Sequence, residues 1–220
     1  MKKAIWAVVA LLAVGSMAQT DPRVGPKTKL FNGKDMAGWN FLLSDKNLKM
    51  EDVWSVDPQQ GIIVCKGTPA GYIYTNQNYT SFILTLEWRW SPVTKHEGNS
   101  GVLLRVQEPH KIWPKSIEAQ LYSKHAGDFW LIDGAKLETD EGRINKGAPN
   151  NRVRMKTNEK AAGEWNHYEI IVDGDKVTLK VNGELVNEGK GAEVIPGKIA
   201  LQSEGAEIHF RNIEIRPIRN

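Results

Sequence analysis

The chain has 220 residues, 40% hydrophobic and 25% charged, with a formal net charge of +3. That is enough apolar content for one sizeable core and too little length for two roomy domains. The small charge forms neither a basic stripe nor an acidic block, so nucleic acid is not an expected partner. The only cysteine, Cys65 in GIIVCKG, excludes an internal disulfide and reads as a small buried thiol.

Residues 1–18, MKKAIWAVVALLAVGSMA, set Lys2 and Lys3 before an apolar run from Ala4 to Val14 and a small-x-small site at Ser16-Met17-Ala18, the pattern of a cleaved signal peptide. The run is shorter than the roughly 20 apolar residues of a membrane anchor. Loss of the two lysines takes the formal charge from +3 to +1. The expected product is periplasmic or secreted and makes no membrane contact after cleavage. Residues 19–27, with Pro22, Gly25 and Pro26, read as a linker, and residues 28–218 as one domain.

From Leu30 onward, short alternating runs separated by turn residues predict strands. They are FILTLEWRW (82–90), GVLLRVQ (101–107), SIEAQLY (116–122), HYEIIVDGDKVTLKVNGELV (167–186), GKIALQSEG (197–205) and AEIHFRNIEIRPI (206–218). Asp173-Gly174 and Asn182-Gly183 predict tight hairpins. No amphipathic helix of convincing length is present, so the expected fold is all-β, a sandwich or jelly roll of antiparallel sheets. The stretch from Tyr122 to Glu164 lacks periodicity and reads as a functional loop overhanging the strand before it.

Strand alternation supplies the candidate chemistry. Glu118, Gln120 and Tyr122 fall on one face of SIEAQLY, where an unpaired carboxylate must meet water or a ligand. In TLEWRW, Thr85, Glu87 and Arg89 oppose Leu86, Trp88 and Trp90, and Glu87 with Arg89 reads equally as a solvated ion pair. In GVLLRVQ, Leu103, Arg105 and Gln107 oppose Val102, Leu104 and Val106. Arg105 then needs a partner, with Glu87 or Glu118 in reach on a neighbouring strand. Asn99 sits in the turn Gly98-Asn99-Ser100-Gly101. Trp113 and Trp130 lie in predicted loops beside Glu118, where flat rings suit a pyranose face. His125 is the nearest histidine, without any metal-binding spacing.

A two-carboxylate glycosidase needs a second acid near the first. The alternate position holds Gln120, which cannot ionise, so that chemistry rests on Glu87. One base among amide and cationic donors suits another reaction, proton abstraction beside a carbonyl with the enolate oxygen held by the donors.

Five motifs in order carry a family likeness: LFNGKDMAGW, GNSGVLLRV, IEAQLYSKHAGDFW, GEWNHYEIIVDGDKVTLKVNGELV and PGKIALQSEGAEIHFRNIEI. Together, from about Thr28 to Ile218, they resemble the 3-keto-α-glucoside 1,2-lyase / 3-keto-2-hydroxy-glucal hydratase domain family, also called 3-keto-disaccharide hydrolase. The resemblance implies a concanavalin-like jelly roll. It also implies cleavage of glycosides already oxidised at C3: the C2 proton is removed, the group at C1 is expelled, and water adds to the enone. A sugar 3-dehydrogenase is the expected functional partner. By resemblance Glu87, Asn99, Arg105, Glu118 and Gln120 match recurrent family positions. After Gln120 this sequence reads Leu121-Tyr122-Ser123-Lys124-His125, where many members soon carry an aspartate.

The expectation is therefore a sugar-sized hollow in which Glu118 is the base and Arg105, with Asn99 and Gln120, holds the enolate oxygen. His125 or Tyr122 protonates the leaving oxygen. No cofactor is required by the sequence, although a divalent cation on Glu118 and His125 is compatible with it and the metal stays open. The rivals are a non-catalytic carbohydrate-binding module using Trp113 and Trp130, and an ordinary glycosidase using Glu87 with Glu118.

Overall fold

The computed structural model describes residues 21–219. The expected signal peptide, residues 1–18, lies outside the described residues. The first strands are β1 (Thr28–Lys29), β2 (Trp39–Leu43), β3 (Trp54–Asp57), β4 (Ile62–Cys65) and β5 (Gly71–Thr75). Then come β6 (Phe82–Trp90), β7 (Gly101–Val106), β8 (Ser116–Gln120), β9 (Phe129–Ile132) and β10 (Asn151–Arg152). The last are β11 (Asn166–Asp173), β12 (Lys176–Val181), β13 (Glu184–Gly189), β14 (Lys198–Ser203) and β15 (Ile208–Pro217).

All the ladders are antiparallel and build two sheets. One runs β13-β12-β11-β6-β15-β4-β3 with β1 added on β15, and the other runs β10-β9-β8-β7-β14-β5-β2. The result is the expected all-β jelly-roll sandwich. Its only α-helix among the described residues is one turn, Met50–Val53.

Alternation explains the central strand. FILTLEWRW buries every second residue, so Phe82, Leu84, Leu86, Trp88 and Trp90 enter the core while Glu87 and Arg89 stay on the other face. Burying each such ring or branched chain contributes roughly 1.5–3 kcal/mol, the main favourable term for a fold without a disulfide. Trp54, Tyr168, Phe129 and Phe210 join the same core, and Cys65 is buried in it as expected.

Two turns and one edge refine the sequence reading. The hairpin from β12 to β13 turns on Asn182-Gly183, both with positive φ (50° and 83°), as the dipeptide demands. The preceding hairpin turns one residue later than expected, on Gly174-Asp175, because Asp173 still pairs with Lys176. Part of the segment expected to be a linker lies along β15: Val24 bridges Ile218 and the Gly25 N–H donates to the Pro217 carbonyl.

The long stretch after Tyr122 does not overhang Glu118. It contains β9, β10 and a 3-10 turn at Glu141–Arg143, and then runs along the β12 and β13 edge of the other sheet. There the Met155 N–H donates to the Val186 carbonyl and the Asn158 side chain to the Val181 carbonyl. An exposed strand edge leaves backbone groups unpaired, so this segment closes the flank of the sandwich. The strap over the seven-stranded sheet is instead residues 107–115, anchored where Tyr72 meets His110 Nδ1 (3.1 Å) and the Lys111 carbonyl (3.1 Å).

Candidate functional site

The outward face of the seven-stranded sheet carries the candidate chemistry, and register fixes who meets whom. Leu103 stands opposite Glu118 and, across β14, opposite Ala200; Glu118 stands opposite Trp130 on the far side. Gly101 stands opposite Gln120, and Gln202 opposite Tyr72. Trp130 is thus a strand residue on β9 beside Glu118, not a loop residue.

Gly101 makes room for the head groups. A Cβ built there would lie 2.3 Å from Glu118 Oε1 and 2.3 Å from Gln202 Oε1, so the two side chains converge over a position only glycine leaves clear. Glu118 is 5% exposed and Gln202 is 1% exposed. Glu118 Oε1, both polar atoms of Gln202, and Asn99 Oδ1 are buried without a protein hydrogen-bond partner. Four such atoms in one place are unusual, because buried polar groups are normally paired.

A second carboxyl completes the cluster. Glu204 is bridged to Asn99 just beyond β14. Burial pushes Glu204 up to about 7 against the opposing hydrogen bond from Asn99. Glu118 is held well above the usual carboxylate range, first by burial and then by the charge of Glu204. Two carboxyls both raised by burial, with amides beside them, favour a shared protonated state that a single base step near neutrality can use. Glu204 and Gln202 were missed in the sequence. Their signal was the alternate spacing in LQSEG, the same spacing that singled out Glu118 and Gln120.

Arg105 is not part of this cluster. β7 carries an extra residue against β14, since Lys198 pairs with Val106 while Ala200 pairs with Leu103, and Arg105 takes φ 52° at the bulge. One inserted residue reverses alternation beyond it, so Val106 joins Leu103 and Tyr72 on the outer face. The Arg105 guanidinium donates instead to the carbonyls of Thr80 (2.8 and 2.5 Å), Glu193 (2.6 Å) and Gly174 (2.6 Å).

Glu87 is on the other sheet. It pairs with Arg211 directly across β15 at 2.5 Å, and Arg89 lies over the Trp165 ring at 4.4 Å. Neither the expected Glu87–Arg89 pair nor a Glu87–Glu118 glycosidase dyad forms. Gln120 turns back on its own chain, accepting from the Leu121 and Tyr122 N–H groups at 3.0 and 2.9 Å. The strand ends there, leaving Tyr122 46% exposed, against His125 with ring centroids 5.1 Å apart.

The His125 Nδ1 faces Arg154 Nη1 (3.2 Å) and the buried Asp128 carboxylate (3.5 Å). Glu118 faces Gly101, while His125 faces Arg154 and Asp128, so the cation on Glu118 and His125 that the sequence left open has no preformed pair of ligands. Among the described residues no three His, Cys, Asp or Glu side chains converge to hold a metal ion. Trp113 is 42% exposed on the strap.

Open hollows lie around the cluster rather than at Glu118. One of about 410 Å³ is bordered by Thr94, His96, Gly98 and Gly205, next in sequence to Asn99 and Glu204. Another of about 510 Å³ lies under the strap against β2. Glu118 lines neither, so the expected sugar-sized hollow around it is replaced by a buried polar floor.

Solved structures share this architecture. One is a provisionally named glycosyl hydrolase from Parabacteroides distasonis ATCC 8503, 26% identical with a TM-score of 0.64, matched over 87% of this chain and 94% of that one. A β-glucanase from Bacillus licheniformis is 14% identical with a TM-score of 0.58, over 89% and 99%. A carbohydrate-binding module from Bacillus subtilis is 13% identical with a TM-score of 0.55, over 82% and 97%. The last two share the fold alone. No curated protein matches the chain significantly. The family model for the 3-keto-alpha-glucoside-1,2-lyase-like domain matches residues 26–216. The chain therefore belongs to the 3-keto-alpha-glucoside-1,2-lyase-like domain family.

Proposed function

We propose that this protein cleaves glycosides oxidised at C3, and that Glu204 rather than Glu118 is the base. The observation that carries the reading is the carboxyl pair Glu118 and Glu204, both raised by burial, beside the unpartnered Gln202 amide and the unpartnered Asn99 Oδ1. Glu204, half-buried and ionising near neutrality, takes the proton from C2, and the C2–H electrons move into the enolate of the C3 ketone. Glu118, held protonated, and the Gln202 amide donate to the enolate oxygen. The enolate then re-forms the ketone, its electrons make the C1–C2 double bond, and the C1–O bond breaks with its pair leaving on oxygen. Water adds at C1 and its released proton goes to the departed alkoxide, while the carboxyl of Glu204, after exchanging its proton with solvent, protonates C2. Net hydrolysis results without a second carboxylate at Gln120.

The proposed setting is the periplasm or the exterior, downstream of a sugar 3-dehydrogenase that supplies the ketone. Among the described residues no helix is long and apolar enough to cross a membrane.

Incubation in heavy water with a 3-keto-disaccharide and with its unoxidised parent tests the reading. Cleavage of the oxidised sugar alone, with solvent deuterium at C2 of the product faster than exchange without enzyme, is expected. Glu204→Gln should lose about 10³-fold in kcat/KM, whereas Glu118→Gln, which keeps a donor, should lose about tenfold. Equal cleavage of both sugars would return the protein to ordinary glycosidases. No cleavage together with glycan binding untouched by Glu204→Gln would leave a carbohydrate-binding module.

A further inference from the structure

We infer that the hollow between β2 and the 107–115 strap receives the group leaving from C1, and that it selects an apolar, preferably aromatic, aglycone. The inference rests on the reading of the reaction given above. The hollow measures about 510 Å³. It is lined by Phe41, Leu42, Leu43, Leu48 and Ile112 together with Ser44, Asp45, Lys46, His110 and Lys111. Phe41 is 39% exposed.

Its position relative to the polar cluster follows from register. Leu42 stands opposite Tyr72, and Tyr72 opposite Gln202, so the hollow and the cluster share one cross-sheet row. Two strand spacings of about 4.8 Å put Leu42 roughly 10 Å from Gln202. That is the reach of a second ring attached at C1. Leu42, Tyr72, Tyr74 and Leu103 pack together on this outer face, so the row is continuous.

His110 lines the hollow and covers Tyr72, the residue between Leu42 and Gln202 in this row. It stacks on Tyr74 with ring centroids 4.3 Å apart, meets Tyr72 Oη at 3.1 Å, and is held from behind by Glu108 at 2.9 Å. A fixed flat ring at that point offers a stacking surface to another flat ring. Against Phe41, Leu42, Leu48 and Ile112 a phenyl ring removes more apolar area from water than a hydroxylated sugar ring does.

The test measures binding of unoxidised phenyl and methyl glucosides, both anomers, to the full chain by calorimetry. For at least one anomer the phenyl compound should bind about tenfold tighter than the methyl compound. Phe41→Ser and Ile112→Ser should each abolish that advantage, and Glu204→Gln should preserve it. Ile112 sits on the strap, so its variant reports even where the β2 variant misfolds. No phenyl advantage, including no binding of either glucoside, or an advantage that survives both serine variants, overturns the inference. Cleavage of 3-keto-disaccharides without a phenyl advantage removes this inference alone. A phenyl advantage without such cleavage removes the reaction reading, and with it the leaving-group role of the hollow, which then stands only as an aryl-binding site.

Discussion

Gly101 decides more about the site than its absent side chain suggests. Its φ is not in the left-handed region, so alanine is allowed by the backbone, but the new methyl would meet Glu118 Oε1 and Gln202 Oε1. Both oxygens end rotatable side chains, and Glu118 Cγ, 2.8 Å from the new methyl, must swing aside with its carboxyl group, a side-chain rather than a backbone shift. Gly101→Ala should therefore keep its thermal midpoint within a few degrees while losing about 10²-fold in kcat/KM, because displacing aligned groups by about an ångström is costly to rate. A fully active Gly101→Ala would show that the convergence of Glu118 and Gln202 is irrelevant to the chemistry. At this scale the sequence was half legible. Alternation placed Glu118 on a polar face, but nothing local announced that Gln202 and Glu204, about 85 residues away, would be its neighbours.

A β-bulge separates the expected role of Arg105 from its observed one. Strand alternation predicts a side chain aimed at Glu118, and a single extra residue in β7 reverses that aim. What the strand gains is a tie between three otherwise separate loops, through the carbonyls of Thr80, Gly174 and Glu193. These loops belong to both sheets, so the guanidinium joins the sandwich at one end. Arg105→Ala leaves partly buried carbonyls unpaired and should cost on the order of 3 kcal/mol in urea unfolding. Glu118→Gln should cost far less. Equal destabilisation by the two variants, or an Arg105→Ala protein as stable as wild type and inactive, would restore Arg105 to the reaction. Bulges depend on pairing between strands, and so a one-strand pattern cannot reveal them.

The paired carboxyls also give the whole molecule a pH signature. Glu204 rises from an ordinary 4.5 to about 7 and Glu118 rises well above 4.5, so each binds its proton more tightly folded than unfolded. Their stabilising contribution is complete below about pH 4.5 and disappears as pH rises through about 7 and beyond. Wild-type urea midpoints should fall over that window, and the fall should flatten in the Glu118→Gln/Glu204→Gln double variant. An identical slope in both proteins would mean that neither group is buried as described. The fold that imposes this burial was the most legible feature of the chain. Runs such as FILTLEWRW and the turn Asn182-Gly183 carry their period and their φ preference in adjacent residues.

Taken by themselves, the residues determined an all-β sandwich held by apolar alternation, and they offered Glu118 as a carboxyl needing explanation. Both follow from interactions within a few positions along the chain. The tertiary structure decided the rest: Arg105 was turned to the loops by a bulge, Glu87 went to the opposite sheet, and Glu204 and Gln202 came to Glu118. Those outcomes depend on which distant strands pair and in what register, and the free energy that selects a register is spread over the whole sheet rather than written at any one position.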